Sequence, residues 1–153
     1  MRERLVKFFA TGLGAGYVPF APGTAGSIVG VGYWWLLATQ TAGTTYWLIF
    51  VAVVGFAIWC AGEAAMDLGQ EDPACVVIDE IAAMPLALAG VEVGIVSVLI
   101  GFAFFRLFDV WKPFPVRQSQ KLAGGIGIVV DDLLAAAYAC AATHVVVWAS
   151  QKW

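Results

Sequence analysis

The sequence predicts an all-α fold, a single polytopic helical membrane domain spanning residues 1–153 and built with short or re-entrant helices. Three observations predict it. Of the 153 residues, 61% are hydrophobic and only 12% are charged, whereas ordinary soluble domains carry about 25% charged residues. Between Lys7 and Glu63 lie 55 consecutive uncharged residues, too long a run for the surface of a small soluble domain. Aromatic side chains collect towards the ends of apolar stretches, at Trp34, Trp35, Tyr46, Trp47, Trp59, Trp148 and Trp153, where interfacial belts form. No repeat, low-complexity tract or linker divides the chain.

The elements follow in chain order. The start, MRERLVKFF, is basic like a signal peptide but runs into Gly- and Pro-containing sequence, with no clean apolar core or cleavage site. It is expected to be retained. Residues 28–42 (IVGVGYWWLLATQTA) and 46–62 (YWLIFVAVVGFAIWCAG) flank a short Gly/Thr turn and predict a helical hairpin. Ile81 to Phe105 is apolar but interrupted by Glu92, set between Gly90 and Gly94, leaving arms of 11 and 13 residues. At about 1.5 Å rise per residue each arm covers only about 20 Å, so a shallow or re-entrant pair is expected there. Leu133 to Ser150 is the last apolar segment. Arg2, Arg4 and Lys7 place the N-terminus in the cytoplasm. Parity then puts 17 of the 19 charges on that side, all but Glu92 and Lys152.

Three charged clusters punctuate these segments. The first, GEAAMDLGQEDPACVVIDE (62–80), holds Glu63 and Asp67 four apart and then Asp79 and Glu80 side by side. Adjacent acids at a helix start answer the macrodipole, but two at a membrane boundary exceed what capping needs, and ionisable groups there read as functional. The second, FRLFDVWKPFPVR (105–117), sets Arg106 and Asp109 on one helical face, while Pro113 and Pro115 end the helix and hold Lys112 at its exit. Snorkelling and positive-inside topology account for Arg117 and Lys121 well, for Arg106 and Lys112 less well, and for Asp109 not at all. One carboxylate among cations suits a metal bound together with a phosphate. The third, GGIGIVVDD (124–132), leads flexible glycines into Asp131 and Asp132 at the head of the last segment. Carboxylates in this number suit a hard divalent cation such as Mg²⁺.

An uncharged cluster, VPFAPGTAGS (18–27), precedes them. It reads as a loop ahead of a helix beginning at Ile28, with Thr24, Ser27 and backbone N–H groups able to hold a phosphate. Other chemistries are excluded. No Cys is followed six residues later by Arg, and there is no Asp-x-Asp run. Cys60, Cys75 and Cys140 are scattered and read as packing residues. His144, the only histidine, lies in an apolar segment and reads as a packing or interfacial residue.

Taken together the clusters resemble the phosphatidylglycerophosphatase A family of bacteria. The matching residues are Ala21-Pro22-Gly23-Thr24 with Gly26-Ser27, Asp79-Glu80, Phe105-Arg106, Phe108-Asp109, Lys112-Pro113 with Pro115, Gly124-Gly125, Gly127-Ile128 and Asp131-Asp132. They occur in the family's order from residue 12 to residue 137. The family usually has Gly at Ala83 and Ala136 and often an acid at Gln120, and the loop from there to Gly124 is one residue short. The resemblance implies Mg²⁺-dependent hydrolysis of phosphatidylglycerophosphate, in the bilayer, to phosphatidylglycerol and phosphate at the cytoplasmic face of a bacterial inner membrane. The expected roles are metal ligation and catalysis by Asp79, Glu80, Asp109, Asp131 and Asp132, one of them acting as base. Arg106 and Lys112 would bind phosphoryl oxygens, with Thr24 and Ser27 contacting substrate. The rival expectation is a cation-coupled transporter that uses the boundary acids as an ion path. No nucleic acid and no obligate protein partner is inferred.

Overall fold

The computed structural model describes residues 2–150; Lys152 and Trp153 lie outside them. Seven helices and no strand are present among the described residues: α1 (Arg2–Ala10), α2 (Pro22–Gln40), α3 (Gly43–Leu68), α4 (Ile78–Ala87), α5 (Ile95–Trp111), α6 (Val116–Ser119) and α7 (Gly125–Ser150). The two segments expected as a hairpin are α2 and α3, joined by a short turn, but the helices do not pack along one another: both lean on α4 instead. Two helices, α3 and α7, are each 26 residues long, with mean hydropathies of 2.1 and 1.6, and are long and apolar enough to cross a membrane. Their outward side chains are apolar too: Leu48, Val51, Trp59, Val145 and Trp148 are exposed, as lipid contact requires.

α4 occupies the centre. It packs against α2, α3, α5 and α7, and Ile78, Asp79, Ala82, Ala83, Met84, Pro85 and Ala87 are all buried. A helix buried on every side is apolar all round, which is why IAAMPLALA carries no polar stripe. With 10 residues it rises only about 15 Å, half of a bilayer core. The expected short pair is therefore present, but unequal. The first arm stops at Ala87, while the second, α5, starts at Ile95 and runs on through Arg106 and Asp109 to Trp111. Lys112, at a left-handed φ of 49°, and Pro113 end it.

Small residues allow the close approaches. A Cβ on Gly26 or Gly30 of α2 would crowd Val77 or Met84, on or just before α4. One on Gly125 of α7 would fall on the Ile58 carbonyl of α3. Such backbone contacts are how helices associate without a hydrophobic drive between them. Ala83 and Ala136, where the family usually has Gly, are both fully buried in the apolar cluster around Trp34 and Phe105.

Two boundaries differ from expectation. α2 begins at Pro22 instead of Ile28, because proline at the first helical position gives up an N–H that has no helical partner anyway. Thr24 and Ser27 therefore sit within the helix and not in a loop ahead of it. α7 begins at Gly125, eight residues before Leu133, so Asp131 and Asp132 lie in its second turn and not at its head. The Gly residues there are packed helix, and the chain turns at Gly124, φ 61°.

Candidate active site

One end of the bundle gathers the start of α2, the end of α3, the starts of α4 and α7, and the end of α5. Asp79 and Glu80 open α4; Asp132 comes from the facing turn of α7. One carboxylate oxygen from each of these three lies within 4.8 Å of the others. Asp79 and Asp132 are 8% and 4% exposed. Asp79 Oδ1, Glu80 Oε2 and Asp132 Oδ2 are buried without a hydrogen-bond partner.

At that separation each pair of carboxylates repels by roughly 3–4 kcal/mol at an effective dielectric of about 20. Desolvating each ion adds several kcal/mol more. Burial, then the neighbouring Glu80 and Asp132 charges, push the Asp79 carboxyl well above the ordinary range. Burial, with the Asp109 charge, also raises Glu80, although the Arg106 charge pulls it down. A divalent cation offsets both costs at once, and the unpartnered oxygens are the donor type that a hard cation takes. The cluster can hold a metal ion.

Around it stand the two expected cations. The Arg106 guanidinium donates to Asp109 at 2.9 Å, lies 3.9 Å from Glu80, and donates to Ser27 Oγ at 3.3 Å. Lys112 is bonded to Asp131 and stands 3.6 Å from Asp109. Burial alone would lower the Lys112 pKa, but the hydrogen bond and charge of Asp131, with Asp109 behind them, leave it raised. Lys112 is thus held as a cation. Asp109 also acts electrostatically on Asp132, so it links the ion pairs to the cluster.

The structure thus brings together eight of the nine residues singled out by sequence. Asp79, Glu80 and Asp132 converge, while Asp109 and Asp131 take up Arg106 and Lys112. Ser27 is fully buried and its hydroxyl also donates to the Gly23 carbonyl at 2.8 Å, so it holds Arg106 in place. Thr24, half-buried one turn earlier, makes no recorded side-chain hydrogen bond. His144 stands at the opposite end, away from the carboxylates, its Nε2 2.9 Å from the Ala89 carbonyl oxygen. The three cysteines are free.

Two residues have a place at the site that the sequence reading did not give them. A Cβ on Gly23 would strike Glu80 Oε1 and come within 3.2 Å of Arg106 Nη1. The α2 backbone therefore forms a wall of the site, signalled only by Pro-Gly at a helix start. Asp72 acts electrostatically on both Asp79 and Asp131 and lines an open cleft of about 730 Å³ that runs between residues 69–72 and 120–124 to Asp131. Gln120 borders the same cleft.

Fold and site together define a helical membrane protein with a buried carboxylate centre flanked by fixed cations. Residues 8–147 match the phosphatidylglycerophosphatase A family. The chain is 37% identical to phosphatidylglycerophosphatase A of Haemophilus influenzae over 97% of its own length and 90% of the relative's. It is 33% identical to phosphatidylglycerophosphatase A of Escherichia coli K12, covering 82% and 74%. It is 36% identical to a putative phosphatidylinositol-3-phosphatase of Bacteroides thetaiotaomicron, covering 90% and 91%. No solved structure matches. The chain belongs to the phosphatidylglycerophosphatase A family, and is a phosphoric monoester hydrolase; the transporter expectation falls with that membership.

Proposed function

We propose that this enzyme hydrolyses the terminal phosphate of phosphatidylglycerophosphate, releasing phosphatidylglycerol and phosphate, with Mg²⁺ held by its carboxylates at the cytoplasmic face of a bacterial inner membrane, which the chain crosses more than once. The observation that carries the reading is the convergence of Asp79, Glu80 and Asp132, with unpartnered buried oxygens, beside Arg106 and Lys112. A cation bound there supplies charge neutralisation at the phosphate and an acidified water. Asp79, Glu80 and Asp132 form the core of the ligand set. Asp109 and Asp131 join it as Arg106 and Lys112 turn from them to the phosphoryl oxygens, a switch that keeps every charge paired. One of the five carboxylates accepts the proton of the attacking water. Ser27 keeps Arg106 aimed, and Thr24, on the same α2 turns, contacts the phosphate or glycerol.

The test is phosphate release by purified protein from phosphatidylglycerophosphate. Activity is expected to vanish in excess EDTA and return with Mg²⁺; undiminished turnover in EDTA overturns the metal role. The Bacteroides relative's name motivates a parallel assay with phosphatidylinositol 3-phosphate; preferential turnover there would reassign the lipid while leaving the chemistry. Sidedness is read by labelling cysteines introduced near residues 70 and 120, which should resist a membrane-impermeant reagent added from the periplasmic side.

A further inference from the structure

α2 leaves the site upward from Gly23, and α5 descends to it at Arg106, so the two helices run antiparallel beside one another. They touch at the site, through Ser27 and Arg106. Further from it they part, leaving a groove of about 470 Å³ lined by Val31, Gly32 and Trp35 of α2 and Ile95, Val98 and Leu99 of α5. The lining stripes are continuous with the site. Ser27, Val31 and Trp35 are spaced i, i+4 along α2, as are Val98, Phe102 and Arg106 along α5, so each pair of successive residues shares a helix face. From Ser27 to Trp35, and from Val98 to Arg106, is eight residues, about 12 Å by helical rise. That is close to the roughly 15 Å of hydrocarbon in one leaflet. Ile95 and Leu99 are 81% and 60% exposed, and a Cβ on Gly32 would meet nothing within 4 Å, so the groove opens sideways and α2 leaves it unfilled.

A charged binding point at one end and a leaflet-deep apolar trough at the other match one ligand chemistry, an anionic headgroup with an alkyl tail. A partner helix would need a broad face and would have no use for Arg106. We propose that the α2–α5 groove seats an acyl chain of the lipid whose phosphate is held at Arg106. The assignment rests on the proposed lipid-phosphate hydrolysis and adds where the tail lies.

The experiment compares long-chain with short-chain phosphatidylglycerophosphate in one detergent. Gly32→Phe projects a ring into the trough from a position whose Cβ would stand in open space. It is expected to raise KM for the long-chain lipid about ten-fold or more, as lost apolar burial does, and to leave short-chain turnover unchanged. Equal effects on both lipids, or none on either, overturn the groove. Leu99→Trp blocks it from the opposite wall and serves if Gly32→Phe is unstable. A long-chain lipid carrying a photoactivatable group at the tail end gives a readout independent of turnover. Adducts are expected within residues 31–35 and 93–99; adducts spread over α3 and α7 overturn the assignment. Loss of phosphate release from both lipids by the wild-type protein would count against the hydrolase reading instead, and the labelling pattern would still decide the groove.

Discussion

The two ends of the bundle treat buried polar groups in opposite ways. At the far end, Tyr46 donates to the Pro85 carbonyl at 2.7 Å, Thr143 to Ala139 at 2.7 Å, and His144 meets Ala89. The Tyr46 bond has a local cause. α4 stops early, Ala89 N–H bonds to Leu86 instead of Pro85, and the Pro85 carbonyl is left for a side chain. Among the described residues only the Tyr33 hydroxyl, on α2, breaks the pattern outside the acidic end. At the site end three carboxylate oxygens are buried with no partner. Buried polar atoms are nearly always paired, so satisfied groups mark scaffold here and orphaned ones mark a binding centre.

The sharpest way to break this contrast is to remove charge from the orphaned end. Asp79→Asn, Asp109→Asn and Asp132→Asn keep size and hydrogen-bonding capacity, and each is expected to lower turnover at least about 100-fold with the protein still eluting like the parent. His144→Ala, at the satisfied end, should retain normal turnover. The reverse result, a dead His144→Ala beside active Asn variants, would overturn the contrast. Lys112→Ala should fall between them, raising KM more than it lowers kcat, because it removes phosphate binding and leaves the carboxylates.

Smaller effects sharpen the boundary between the regions. Gly23→Ala places a methyl against Glu80 and Arg106, so a drop in kcat of about ten-fold is expected with little change in melting temperature, since the site and not the core must shift. Tyr46→Phe leaves a carbonyl unpaired and should cost about 1 kcal/mol in stability, read by thermal unfolding, with turnover near normal. Turnover falling as far as stability in Tyr46→Phe would mean that the α4 terminus is not mere scaffold.

Much of this was legible in the chain. The helical class, the short central pair broken at Glu92, and the grouping of Asp79, Glu80, Asp132, Arg106 and Lys112 all follow from where charges interrupt apolar runs, since a membrane domain places few charges without purpose. Helix starts were less legible. Pro22 and Gly125 read as breakers when counted by residue type, yet Pro suits a first helical position and Gly125 is small because the Ile58 carbonyl of α3 lies against it. Ser27 shows the same limit: sequence marks it as polar near the site, but only three dimensions show its hydroxyl spent on Gly23 and Arg106.

The cleft that reaches Asp131 has a bearing on how a reaction there would finish. Its walls carry Glu71 and Asp72 against the single cation Lys121, so a freed phosphate anion departing through it crosses a mouth of its own sign. That polarity disfavours free phosphate in the cleft and so lowers its local concentration at the mouth. The water-soluble product and the greasy one would then part by separate doors, the aqueous one bearing a charge that keeps free phosphate from gathering at its mouth.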